Sequence, residues 1–186
     1  MELQPPKSPT ASKVVYQNPW ITIHEDATIT PEGQEGIYGY MESRDSVMVA
    51  AVDDHARILM VKAFRYPTKT WGWELPGGGG DDENLIDASR RELEEETGIV
   101  AEHMQKIGET LVCNGLMTEQ QTTCIAWNIS SNGQKEHSDE VFADQRFFTL
   151  DTIHNMIDSG EINDNQTLTG IYLTERWLEK RGENHE

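Results

Sequence analysis

The chain has 186 residues, of which 36% are hydrophobic and 26% charged, a length that suits one globular domain and argues against a repeat array. Thirty-three acids against fifteen lysines and arginines give a net charge of -18, which disfavours bulk nucleic acid and anionic membranes as partners. The longest apolar run, residues 47–52, is far below the roughly 20 residues of a membrane span, so we expect a cytoplasmic protein.

The first part of the chain is predicted to be a leader followed by an antiparallel β extension. Residues 1–11 hold three prolines and no periodicity, which is typical of a disordered leader. Strict alternation over residues 20–30 predicts a half-buried strand. The turn sequence Pro31-Glu32-Gly33 lets residues 34–42 return beside that strand. We therefore delimit a leader, a β extension and a main domain at residues 1–11, 12–43 and 44–186.

The main domain is predicted to contain a mixed sheet flanked by helices, because its strands and helices do not alternate regularly. A buried hairpin is expected at residues 46–52 and 57–64, followed by a short strand at 71–75. The clearest helix covers residues 84–97 and ends at Gly98. Later strands are expected at 105–112, 120–128 and 145–148, and helices at 151–158 and 166–180. Both cysteines, Cys113 and Cys124, are expected to be reduced and in or near the core.

The predicted helix at 84–97 carries an unusual concentration of acid. Glu92, Glu95 and Glu96 stand at positions i, i+3 and i+4 and share one face, where each like-charge pair costs about 0.2 to 0.5 kcal/mol. One interpretation is a solvated acidic face, relieved by the i, i+4 pairs Arg90–Glu94 and Arg91–Glu95. The other is a divalent cation site, because four glycines just before the helix let backbone carbonyls join the carboxylates as oxygen ligands.

The glycines and the helix together resemble the signature of the Nudix hydrolases. That signature is a glycine, five residues, Glu, seven residues, Arg-Glu, an aliphatic residue, any residue, Glu-Glu, any residue, Gly and an aliphatic residue. Its fixed positions are filled by Gly77, Glu83, Arg91, Glu92, Leu93, Glu95, Glu96, Gly98 and Ile99. In Pro76-Gly77-Gly78 the second glycine lies one residue closer to Glu83 than in the family. A carbonyl ligand would then come from Pro76 or Gly77.

The resemblance implies a fold, an activity and roles for these residues. The fold is an α/β/α sandwich with a mixed sheet, and the activity is hydrolysis of a pyrophosphate bond with Mg²⁺ or Mn²⁺. Glu92 and Glu96, with Glu95 supporting them or sharing the ion, would bind the metal, and Glu95 would also serve catalysis. Arg91 would pair with Glu83 and fix the glycine loop against the helix.

Beyond the signature, the chain looks closest to the branch that cleaves ADP-ribose and other nucleoside diphosphate sugars. The strands at 20–40, Phe64-Arg65-Tyr66-Pro67, Trp73-Glu74-Leu75-Pro76-Gly77 and Gly160-Glu161-Ile162 follow that branch's order. The branch implies a homodimer through the N-terminal strands, and a small nucleotide as substrate. Arg65 would contact phosphate, or be an ordinary surface arginine. Glu74 and Trp73 are further candidates for substrate binding, although strand aromatics such as Trp71, Trp73 and Tyr66 are more often core.

A general base is expected from an acidic loop, and residues 136–140 form such a loop. Glu140 and Glu136 are both candidates, and a solvated loop without a catalytic acid is the alternative. Two other functions stay open. One is hydrolysis of a nucleoside triphosphate or a damaged nucleotide, and the other is a nucleotide-binding regulator without turnover. The motifs of serine hydrolases, zinc proteases and phosphate-loop ATPases do not occur in the sequence.

Overall fold

A computed structural model describes residues 7–80, 83–132 and 142–183 of the chain. These residues fall into two compact units. One unit is made of the described residues within Met1–Arg44 and Leu111–Glu119, and the other of those within Asp45–Thr110 and Gln120–Glu186. Among the described residues, no helix is long and apolar enough to cross a membrane.

The first unit is an antiparallel sheet of three strands, β1 (Ser8–Gln17), β2 (Thr22–Ile29) and β3 (Glu35–Glu42), in that order. The predicted hairpin of β2 and β3 is confirmed, with a register that runs from Thr22 opposite Glu42 to Ile29 opposite Glu35. Gly33 has a φ of 82° in the connecting turn, where a residue with a Cβ would be strained. The segment at 111–119 binds β3, since Tyr38 donates from its hydroxyl to the Gly115 carbonyl at 2.7 Å.

The predicted leader is too long, because β1 begins at Ser8 and not after residue 11. The first pair of its register is Ser8 with Ile29, and the register shifts between Pro9 and Ala11. Proline is tolerated there because β1 is an edge strand and the ladder is interrupted at that point. Every side chain of β1 is exposed, so the strand is held mainly by its backbone pairing with β2 and leaves no burial pattern in the sequence.

The second unit contains two sheets and three helices. Its strands are β4 (Ser46–Ala51), β5 (Ile58–Arg65), β6 (Thr70–Glu74), β7 (Gly77–Gly79), β8 (Ile99–Leu111), β9 (Gln120–Ser131) and β10 (Phe142–Phe148). Its helices are α1 (Leu85–Thr97), α2 (Leu150–Ser159) and α3 (Asn165–Glu183). The sheet orders are β7-β4-β9-β8 and β10-β5-β6. Because β4 pairs in parallel with β9 and antiparallel with β7, the predicted mixed sheet is confirmed.

The prediction that residues 46–52 and 57–64 pair as a hairpin is wrong, except at the turn between them. The backbone N–H of Asp53 does donate to the Arg57 carbonyl at 3.0 Å, but β4 and β5 then enter different sheets. The reason is that β4 is buried on both faces. Met48 and Ala50 belong to one core cluster, whereas Val49 and Ala51 belong to the other. A strand with two buried faces occupies an interior position in a sheet, with partners on both edges.

The predicted signature helix is confirmed, and its ends follow from local chemistry. The Asn84 side chain caps α1 by accepting a hydrogen bond from the Ile86 N–H at 2.9 Å, and Gly98 closes it with a φ of 69°. The cysteine prediction holds for Cys124, which is a buried free thiol whose burial raises its pKa. Cys113 is also free but exposed, because it lies beyond β8 in the segment that binds β3.

Candidate active site

Two of the three glutamates that share a face of α1, Glu92 and Glu96, lie against the glycine strand β7. Glu96 is 5% exposed, and its Oε2 accepts a hydrogen bond from the Gly77 N–H at 3.1 Å. The side chain of Glu92 is 12% exposed and that of Glu95 is 31% exposed. Glu92 and Glu96 are therefore turned toward the backbone of the glycines and largely withdrawn from water, whereas Glu95 is partly exposed.

The glycines of β7 are required by how closely these groups approach one another. A Cβ on Gly78 would stand 2.7 Å from the carboxyl carbon and oxygens of Glu92. A Cβ on Gly77 would stand 2.1 Å from the carbonyl oxygen of Val47 on β4. The segment predicted to be a loop is thus a short strand, whose missing side chains leave room for a carboxylate on one residue and for the neighbouring strand on the next.

Arg91 joins the glutamates to the glycine segment. Its Nε donates to Glu83 Oε1 at 2.9 Å, its Nη1 donates to Glu92 and Glu95 at 2.8 and 3.1 Å, and its Nη2 donates to the Gly79 carbonyl at 3.2 Å. Partial burial lowers the pKa of Arg91, but the hydrogen bond to Glu83 and the charge of Glu92 more than offset it and raise the pKa. The contact with Glu83 that the sequence resemblance implied is present, and Arg91 is permanently charged.

The donor set of this site suits a hard divalent cation such as Mg²⁺ or Mn²⁺. Glu92 and Glu95 already share one cationic group, the Nη1 of Arg91, so their carboxylates lie near each other. Carboxylate and carbonyl oxygens are the ligands such ions prefer. Within the described residues, no three acids, histidines or cysteines form a ready metal cage.

Two other predicted site residues, Arg65 and Glu74, form an ion pair on the β5–β6 ladder. Arg65 Nη2 lies 2.6 Å from Glu74 Oε2, and its Nε also donates to that oxygen at 3.0 Å. The Arg65 side chain is 44% exposed, whereas that of Glu74 is 5% exposed. This pairing could not be predicted from the sequence, because the two residues are nine positions apart and stand at different levels of the ladder.

Trp73 lies in the hydrophobic core, although the sequence left a role in substrate binding open. It is 7% exposed and packs edge-on against Phe148, with 4.9 Å between the ring centroids. Lys62 and Arg146 approach the same ring, at 5.7 and 5.9 Å from its centroid. This environment favours the core interpretation of Trp73.

The candidate bases Glu136 and Glu140 lie outside the described residues. The residues on either side of that loop are bound to the last turn of α1. Asn132 donates from its side chain to Glu94 at 2.6 Å, and Gln145 donates to the Thr97 carbonyl at 3.2 Å. The Arg90–Glu94 pair considered from the sequence gives way to this arrangement, since Arg90 donates to the Ala101 carbonyl at 2.6 Å.

Comparison with known proteins assigns the family. Residues 42–169 match the model of the NUDIX domain, and residues 10–41 match that of the nucleoside diphosphate sugar hydrolase N-terminal domain. The first match covers more than half of the chain, so the protein belongs to the Nudix family and is a Nudix hydrolase. The sequence resemblance is thereby confirmed.

Individual relatives are similar over most of the chain. The ADP-ribose pyrophosphatase of Bacillus subtilis is 28% identical over 165 residues, which are 87% of this chain and 88% of that protein. A CMP-5'-(N-acetyl-N-hydroxy-3-aminopropyl)phosphonate hydrolase of Streptomyces rubellomurinus is 25% identical over 160 residues, or 86% of this chain and 77% of that one. The crystal structure of an ADP compounds hydrolase matches with a TM-score of 0.87 at 16% identity, over 98% of this chain and 99% of that chain. This last match confirms the mixed α/β fold with its N-terminal antiparallel sheet.

Proposed function

We propose that the protein hydrolyses the pyrophosphate bond of a nucleoside diphosphate joined to a sugar, ADP-ribose or a close analogue. The products would be a nucleoside monophosphate and a sugar phosphate. The observation that carries this proposal is the packing of Glu92 and Glu96 against the backbone of β7, with Arg91 beside them. The N-terminal match at residues 10–41 and the relative from Bacillus subtilis support a diphosphate sugar as the substrate class.

The residues of α1 would have different roles in the reaction. Glu92 and Glu96 would hold Mg²⁺ or Mn²⁺, with Glu95 and the carbonyl of Gly77 as supporting ligands. The bound ion would neutralise the diphosphate and lower the pKa of a water. Arg91 and Glu83 would keep the glycine strand against the helix, and Glu95, Glu136 or Glu140 would accept the proton of the attacking water. In a protein of charge -18, a cation is needed before an anionic substrate can approach these carboxylates.

A substrate panel with a chelator control tests the proposal. We expect cleavage of ADP-ribose or another diphosphate sugar with Mg²⁺ or Mn²⁺, and loss of at least ~99% of the activity with excess chelator, because the ion supplies several kcal/mol of transition-state stabilisation. The assay detects released monophosphate by chromatography. Nucleoside triphosphates and dinucleoside polyphosphates form the comparison arms. Cleavage confined to triphosphates would contradict the diphosphate sugar assignment, and chelator-resistant cleavage would contradict the metal.

We also propose that the protein is a cytoplasmic homodimer that associates through its N-terminal sheet. Side chains of that sheet expose large apolar groups, with Tyr16 at 54% and Ile37 at 70% exposure. Exposed apolar groups concentrated on one small sheet are typical of a surface that another chain covers.

Sedimentation at micromolar concentration is expected to give a dimer of the 21.1 kDa chain. Ile37→Lys should shift it to a monomer, because a charge would lose its hydration in the interface. Tyr172→Lys, which adds a charge at a 60% exposed apolar residue of α3 outside the N-terminal sheet, is the control for charge as such. A wild-type monomer would contradict the dimer.

A further inference from the structure

The Arg65–Glu74 pair has a geometry that separates the roles of its two members. Glu74 is a carboxylate with a 5% exposed side chain, so it has little surface to offer a ligand. A substrate diphosphate is also anionic, and like charges at contact distance repel. Direct binding of phosphate by Glu74 is therefore disfavoured. Arg65 has the opposite properties, since its side chain is cationic and 44% exposed.

The two side chains reach each other along a path that small residues keep open. In the β5–β6 register, Arg65 stands opposite Thr70 and Glu74 stands opposite Val61. These two levels are four residues apart along the ladder, or about 13 Å. The pair midway between them is Ala63 with Gly72, and a Cβ on Gly72 would stand 3.8 Å from Glu74 Oε1. The guanidinium and the carboxylate therefore meet beside Gly72. A methyl group would fit at this position, whereas a branched side chain would block the contact between Arg65 and Glu74.

Glu74 is also closely connected to the acidic helix. Leu75 and Pro76 are all that separate it from Gly77, whose N–H donates to Glu96. This connection is fixed on both sides, because the Val49 N–H donates to the Pro76 carbonyl at 2.8 Å and the Leu75 N–H donates to the Thr167 hydroxyl at 3.3 Å. The position of Glu74 relative to the glycine strand is therefore set by backbone hydrogen bonds.

We infer that Glu74 is a positioning residue, which holds the Arg65 guanidinium at a fixed distance from the acidic face of α1 to receive the substrate diphosphate. This inference rests on the proposed function and replaces the direct contact between Glu74 and substrate that the sequence allowed. A guanidinium bound through both Nε and Nη2 keeps one orientation, whereas a lysine would have no such fork. Arg65 binds the substrate diphosphate, and Glu74 determines the position of the Arg65 guanidinium.

A double-mutant cycle with a matched control tests the inference. The expected effect of Arg65→Lys and of Glu74→Gln alone is about a tenfold or larger rise in KM for ADP-ribose, with a smaller change in kcat. The double variant should be no worse than Arg65→Lys, because Glu74 acts through Arg65. Gly72→Val should reproduce the loss by blocking the path, and Gly72→Ala should not. Asp53→Asn removes a similar partner from Arg57, bound at 2.7 Å in the β4–β5 turn, and should leave kinetics unchanged.

Affinity for α,β-methylene ADP-ribose, whose P–C–P bridge resists hydrolysis, is measured by calorimetry on the same variants with Mg²⁺ present. Normal affinity in Glu74→Gln, or losses that add in the double variant, would overturn the inference while the proposed function stands. If the protein binds α,β-methylene ADP-ribose in a way that depends on Glu74 but cleaves none of the substrates, the proposed hydrolysis is contradicted and the inference about Glu74 stands. A wild-type protein that neither binds nor cleaves these compounds would overturn both.

Discussion

Replacing Glu96 with glutamine should lower kcat by about a thousandfold while the protein stays folded. A metal ligand contributes several kcal/mol to the transition state, and each 1.36 kcal/mol is about a tenfold change in rate. The amide oxygen of glutamine can still accept the hydrogen bond that the Gly77 N–H donates at 3.1 Å. The structural contact is thus preserved and the charge is removed.

The Glu96→Gln variant should be at least as stable as the wild type, although its activity is much lower. Glu96 is 5% exposed, and burying a neutral amide that keeps its hydrogen bond costs less than burying a carboxylate. We therefore expect the melting temperature of metal-free Glu96→Gln to equal or exceed that of the metal-free wild type. Calorimetry and initial rates with Mg²⁺ measure the two quantities on one preparation.

Asp87→Asn is the matched control for Glu96→Gln. Asp87 is an exposed acid in the first turn of the same helix, and its substitution makes the same chemical change away from β7. Its kcat should stay within about twofold of the wild type, with a small loss of stability because an acid near a helix N-terminus is favourable. Wild-type turnover in Glu96→Gln would remove Glu96 from the metal site, and equal losses in both variants would point to the charge of the helix as a whole.

The parts of the fold that the sequence predicted are those specified by neighbouring residues. Helix α1 is the clearest case, since its cap at Asn84 and its left-handed end at Gly98 are local signals. The partners of β4 could not be predicted in this way. They are β7 and β9, and β9 begins more than sixty residues further along the chain. Hydrophobic periodicity identifies a buried strand but does not say which other strand it joins.

The candidate site shows the same division between local and distant information. The shared face of Glu92, Glu95 and Glu96 follows from helical spacing and could therefore be predicted from the sequence. The burial of Glu74 and its pairing with Arg65 depend on the register of β5 with β6 and on the small residues between them. The closeness of Gly78 to Glu92 depends on how α1 packs on β7, which spacing alone does not specify.

Gly78→Ala should separate the geometry of the site from the stability of the fold. Gly78 is not among the residues with positive φ, so alanine fits its backbone conformation. The added Cβ would stand 2.7 Å from the carboxyl group of Glu92, which is the movable end of a side chain. Glu92 must then shift, and a displaced ligand lowers the rate by about a hundredfold. The unfolding free energy should fall by about 1 to 3 kcal/mol.

Two further glycine variants serve as comparisons for Gly78→Ala. Gly77→Ala would place a Cβ 2.1 Å from the rigid backbone oxygen of Val47, so it should destabilise the protein more than Gly78→Ala does. Gly115→Ala meets nothing within 4 Å and should leave rate and stability unchanged. The discriminating measurement is a Mg²⁺ titration of turnover, in which Gly78→Ala should need more metal for half-maximal activity because Glu92 is displaced. A Gly78→Ala protein with the wild-type metal requirement and rate would show that the contact between β7 and Glu92 does not matter to the reaction.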